Sequence, residues 1–222
     1  MTADILRIDH QNMLENSYPG NRKSRHNAKV RQRIWQSAGK MFRVRGVENS
    51  SIDSLMAAAD LTRGAFYAHF TAKDDLFACV VANDQALLDS LRRRNDSDER
   101  SLWAEMRAVF ERYLTPDRLQ TTFASCTMAA LPNTVARGCE LSQRRYNKAF
   151  DAILFKMVRG QDIDPYNANI VAALTITLGA VATASACADQ RSQVAILSAS
   201  HEVFRRLTSS ARLQATGREN QP

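Results

Sequence analysis

Residues Ser50 to Phe70 constrain this chain more than any other stretch, because they read as two short helices separated by only a few residues. Ser51 is a natural N-cap for a helix over 52–59, since its hydroxyl can accept an orphan backbone N–H of the first turn. Asp60 and Leu61 make a tight turn, and Thr62 stands where it caps a second helix over 63–69. Ala58 and Ala59 keep the first helix slim, so the second can cross it closely. This spacing is that of a helix-turn-helix. Leu61, Phe66 and Phe70 fall on the inward side of the second helix. Arg63, Ala65, Tyr67 and His69 fall on the outward side, at a width that a DNA major groove admits.

The segment before it prepares the same conclusion. Val30, Ile34, Ala38, Met41 and Phe42 recur at helical spacing, and Gly46 follows as a C-terminal cap, so a helix is expected over 27–45. Nine Lys/Arg residues and no acid lie between Asn21 and Arg45. Such a run is either a solvated helix face or, favoured here, a segment that faces phosphates. The whole chain carries a formal charge of +7, which suits a polyanionic partner. Its 222 residues hold few glycines and prolines, 8 and 5, and the Ala/Leu/Arg/Gln-rich remainder predicts an all-α protein.

After the helix-turn-helix a longer helix is expected over 73–94, with Asp74 and Asp75 in its first turn and arginines in its last, both complementing the helix dipole. Further helices are expected over 98–114, 126–137, 140–159, 165–188 and 191–213, around a broken stretch at 116–125. The organisation expected is therefore a flexible arm (1–24), a DNA-binding head (25–78), a sensing and dimerising body (79–214) and a flexible tail (215–222).

At the level of motifs, Arg33 to Phe77 resembles the N-terminal domain of the TetR/AcrR regulators. The resemblance is carried by the Ala38, Phe42 and Gly46 spacing, the Ser51-Ile52 helix start, the segment Gly64-x-Phe66-Tyr67-x-His69-Phe70, and Lys73-acid-acid-Leu76. It implies a three-helix head joined to a helical ligand-binding and dimerisation domain. By that resemblance Arg63 and Ala65 read base edges, Arg63 as a bidentate partner of guanine and Ala65 against a thymine methyl. Gly64 permits close approach to the duplex, and Tyr67, His69 and Lys73 hold phosphates. Tyr67 has the alternative of packing on the first helix, and His69 that of an ordinary surface histidine. Ser51, Thr62 and Asp53 lie near the backbone path, although a carboxylate such as Asp53 cannot bind a phosphate directly. Ala72 replaces a residue that often caps the next helix, a role that passes to Thr71. Arg22, Lys23 and Arg25 either reach a neighbouring minor groove or form a solvated tail.

The resemblance also implies an effector cavity in the body. Its candidate walls are Trp103, Met106, Phe110, Tyr113, Phe123, Met128, Phe150, Phe155 and Met157, residues that equally suit a packed core. Cys126 near a helix start is a candidate redox or electrophile sensor, with a lowered pKa expected there, or else a plain buried cysteine. The implied partners are a second copy of the chain, a palindromic double-stranded operator and an unidentified small effector. Pairing through the last two helices is expected to use Gly179, Ala180, Ala184 and Ala188.

Other function classes find less support. No phosphate-binding loop, nucleophile elbow, paired acid and base or metal-ligand spacing is present, so neither an enzyme nor a cofactor or metal protein is expected. The charged N-terminus does not read as a signal peptide, and a cytoplasmic protein is expected. The uncharged run 170–188 is rich in Ala, Thr, Ser and Gly, which favours a buried interface helix over a membrane span. An architectural DNA binder without sequence preference is the remaining rival.

Overall fold

The computed structural model describes residues 22–83, 86–92 and 99–218. Most of the arm expected at 1–24 and the last four residues of the tail lie outside the described residues. Among those described there are twelve α-helices and no strand. The head contains α1 (Arg22–Arg45), α2 (Ile52–Ala58) and α3 (Arg63–Tyr67). Then come α4 (Lys73–Asn83) and α5 (Ala86–Arg92). The body adds α6 (Glu99–Tyr113), a 3-10 turn at Pro116–Arg118, α7 (Leu119–Ser125), α8 (Thr127–Ala130) and α9 (Pro132–Arg137). It closes with α10 (Glu140–Met157), α11 (Ala168–Ala186) and α12 (Gln190–Arg218).

Local chemistry sets the boundaries. α1 ends where Gly46 adopts φ +79° and returns its N–H to Phe42 O at 3.0 Å. Ser51 caps α2, its Oγ accepting Ser54 N–H at 3.1 Å. Pro132 splits the helix expected over 126–137 into α8 and α9, since its ring cannot continue a ladder. Asn167 caps α11, accepting Asn169 N–H at 3.0 Å, so the helix starts three residues after the start expected at 165. α12 continues four residues past 214, into the segment expected to be a frayed tail.

Two apolar cores form. The head core gathers Ile34, Ala38, Phe42, Leu55, Phe66, Phe70, Leu76 and Phe77, with Phe42 and Phe77 edge to face at 5.8 Å. Leu131 and Val135, which belong to the body by sequence, are buried in that same core. The body core is closed by α11 and α12, which pack along each other, and by Phe110 stacked on Phe204 at 4.9 Å. α10 packs on α4 and α5 and bridges head to body. α11 is long and apolar enough to cross a membrane by length and composition. In this fold eight of its residues, among them Ile170, Leu174 and Val181, are buried within the chain.

Candidate nucleic-acid interface

The turn of the helix-turn-helix is a Schellman cap. Leu61 N–H reaches back to Met56 O at 2.9 Å and Asp60 N–H to Ala57 O at 3.0 Å. Asp60 takes the left-handed position at φ 52°, the one positive-φ residue other than glycine among those described. Its carboxylate meets Arg33 Nη2 at 3.0 Å, an exposed pair. The chain is thereby reversed in two residues, and α3 crosses α2 with Phe66 fully buried beneath it.

That burial sets which side chains face outward. Thr62, Arg63, Gly64 and Tyr67 are exposed, and Ala65 and His69 are half-buried. A Cβ placed on Gly64 would meet only Thr62 Oγ1, at 3.8 Å, so the surface over it is open. Tyr67 is 55% exposed and rests edge-on against Phe66 at 5.2 Å. Its ring thus rests partly on the core while its hydroxyl stands near Arg63. Arg63 Nη1 donates to Asp53 Oδ2 at 2.9 Å and to Oδ1 at 3.2 Å. The Tyr67 hydroxyl first, and the Asp53 carboxylate second, hold the guanidinium above its ordinary pKa. Asp53, which cannot itself bind a phosphate, thus holds Arg63 in place together with Tyr67.

Several expectations need correction. Thr62 has the extended backbone of an N-cap, but its hydroxyl makes no cap bond; only its carbonyl is used, by Ala65 N–H at 3.0 Å. Thr71 does not cap α4 with its side chain. Asp75 reaches back instead, its Oδ2 accepting the Thr71 N–H at 3.1 Å. Lys73 is half-buried, and its ammonium donates to Val47 O at 2.9 Å, tying α4 to the loop after α1. The Val47 carbonyl also accepts Ser50 N–H at 3.2 Å, and its bond with the ammonium holds Lys73 inward.

The basic run divides in the same way. Arg31 donates to His69 O at 2.6 Å and lies over the Phe70 ring at 4.3 Å, fastening the end of the α3 segment to α1. Arg33 pairs with Asp60, and Arg43 is buried against Thr127 Oγ1 at 3.3 Å, linking head to body. Arg25, Lys29, Lys40 and Arg45 are exposed. The side chains of Arg22 and Lys23 lie outside the described residues.

In the body, the packed-core reading is the one most of the candidate residues match. Trp103, Met106, Phe110, Met128 and Met157 are buried in the packed core, with Phe150 half-buried against it. Phe155 meets Tyr166 edge to face at 6.3 Å, and the Phe123 side chain lies outside the described residues. Tyr113 lines a pocket of about 160 Å³ among α5, α6 and α7. Leu87 and Val109 give that pocket apolar walls. Ser90, Thr121 and Thr122 contribute hydroxyls, and Arg112 and Arg118 charge.

Cys126 does stand at the start of α8, yet it is fully buried. Desolvation raises its thiol pKa and outweighs the lowering by Tyr113, by backbone N–H groups and by Arg43. Of the two readings the sequence left open, a sensor with a lowered pKa or a plain buried cysteine, the burial matches the second. All four cysteines are free. Ala180 and Ala184 face the chain's own core, while Gly179 and Ala188 are exposed.

Comparison with known proteins agrees with this architecture. Residues 34–80 match the model of "Bacterial regulatory proteins, tetR family". The chain is 29% identical over 101 residues to the transcriptional repressor BepR of Brucella suis biovar 1, covering 43% of this chain and 48% of BepR. It is 33% identical over 91 residues to the HTH-type regulator TtgW of Pseudomonas putida, covering 41% of this chain and 68% of TtgW. The chain thus spans about half the length of BepR. The fold of reduced E. coli NemR superimposes with a TM-score of 0.63 at 14% identity, over 80% of this chain and 96% of NemR. Sequence match and shared scaffold point the same way, and the chain belongs to the TetR family of bacterial regulatory proteins.

Proposed function

We propose that this transcriptional regulator is a sequence-specific repressor that binds a palindromic operator as a homodimer and is released by a small molecule. The observation that carries the reading is the outward face of α3. Arg63 is exposed and held by Asp53, Gly64 is open above, and Tyr67 lies one turn on. A guanidinium presented in this way suits bidentate contact with guanine. Ser51, Thr62, Ala65 and His69 complete the proposed DNA surface. Lys73 supports it from behind.

Reading a two-fold site requires two heads about one helical turn apart. The exposed small residues of α11, among them Ala172, Thr175, Gly179 and Thr183, offer a second copy a close approach. Repression is favoured by the name of BepR, which is called a repressor. The pocket bounded by Tyr113, Ser90 and Arg118 is the proposed effector site, replacing the filled positions expected from sequence. Burial of Cys126 favours a small molecule over thiol modification as the trigger. A cytoplasmic location accords with a DNA target.

The test is a footprint on the DNA flanking the gene, followed by gel shifts with a metabolite panel. A protected palindrome, competed poorly by random DNA and released by one metabolite, is expected. Uniform coverage with equal competition by any duplex would leave the architectural binder instead.

A further inference from the structure

We propose that a cleft at the head–body junction binds a small multivalent anion, one carrying two or more phosphate or carboxylate groups. The cleft measures about 330 Å³ and is walled by α1, α4, α5 and α10. Four cations from three of those helices line it: Arg31, Arg92, Arg145 and Lys148. Asp75 is the single carboxylate among the described lining residues, and it already accepts the Thr71 N–H. Three positive charges are therefore in excess among the lining residues, and two when the Asp89 carboxylate beside Arg92 is counted. Such a concentration of like charge is unfavourable unless an anion offsets it, and low-dielectric walls focus the field on whatever enters.

The available donors suit that chemistry. Arg145 and Lys148 are exposed on α10. Arg92 shares only an exposed pair with Asp89 at 3.3 Å, a contact that an incoming anion can replace at small cost. Planar guanidinium groups bind phosphate and carboxylate through two parallel hydrogen bonds. Small side chains such as Ala78 and Ala149 leave the floor open to a compact skeleton.

Arg31 gives the cleft its consequence. The same guanidinium that lines it donates to His69 O and covers Phe70 at the end of the α3 segment. An anion that draws Arg31 into the cleft competes with that carbonyl and loosens the outward helix. DNA and anion are then expected to bind in mutual opposition, each weakening the other by the same factor.

The site goes beyond the operator reading, and its first test uses no DNA, so either can fail alone. Pyrophosphate and citrate are titrated calorimetrically into the full-length protein at constant ionic strength. One anion per chain is expected, with a Kd below ~1 mM. Both α10 cations are exposed, so Arg145→Gln/Lys148→Gln is expected to fold normally by circular dichroism and to bind the probes at least about tenfold more weakly. In gel shifts, pyrophosphate is expected to weaken DNA binding by the unaltered protein and not by the double variant. Absence of heat at ~5 mM probe overturns the proposal. So does equal affinity in the variant. A variant that loses DNA affinity with no anion present also overturns it, because the cleft would then hold the DNA backbone.

Discussion

Arg63 is held in position before any DNA arrives. Its pair with Asp53 is solvent-exposed, so it adds little stability and breaks cheaply. What it supplies is orientation, since a long side chain that already points outward loses less freedom on docking. Arg63→Ala is expected to erase the preference for operator over random DNA while leaving the oligomer unchanged on size exclusion; an unchanged competition ratio refutes the role. Asp53→Ala separates orientation from contact. It is expected to narrow the operator preference several-fold and to strengthen binding to random duplex, because a carboxylate leaves the docking face. Asp60 tests the backbone. At φ 52° a side chain is strained by about 1 kcal/mol, which aspartate tolerates better than alanine. Asp60→Gly is expected to raise the urea-unfolding free energy by up to about 1 kcal/mol, and Asp60→Ala to lower it by about the same. Equal midpoints for the two variants contradict the strained turn.

Among elements, legibility followed the distance in sequence over which each interaction acts. The caps at Gly46 and Ser51, the Asp60 turn and the inward Phe66 and Phe70 were all readable because their partners lie within a few residues. Arg31, Arg33 and Arg43 were not. Their partners His69, Asp60 and Thr127 lie 38, 27 and 84 residues away, and a run of cations looks the same whether it meets phosphate or protein. The aromatic stripe of α6 likewise reads alike as core or as cavity wall: Phe110, stacked on Phe204, is core, whereas Tyr113 lines the pocket. Of the two readings left open for Cys126, burial matches the plain buried cysteine: a helix start lowers a thiol pKa only when water or charge can stabilise the thiolate, and burial removes the water. In the folded protein Cys126 is expected to resist iodoacetamide at neutral pH. It should react only after denaturant is added, as peptide mapping would reveal; rapid native labelling contradicts this.

For the molecule as a whole, Gly179 distinguishes folding from assembly. A Cβ there would meet nothing within 4 Å in the single chain, so a side chain starts into open space, and Gly179→Leu is expected to leave the subunit folded and to favour its helix by roughly 1 kcal/mol. Across the two-fold axis proposed above, the same side chain would be an obstruction. The variant is expected to be a folded monomer by light scattering, with operator affinity reduced at least about tenfold because two half-sites no longer act together. A variant that stays dimeric places the interface elsewhere.

The sharing of Leu131 and Val135 with the core beneath α1, α2 and α4 has a practical corollary for protein engineers. Related regulators invite exchange of their DNA-reading ends, as though these were interchangeable tool bits. Here the cut cannot follow the chain. A transplant ending at residue 83 would leave behind two of its own internal packing residues, at a cost of a few kcal/mol each. It would also expose the greasy underside that they cover. A working hybrid must carry Leu131 and the α9 helix along with the end they serve.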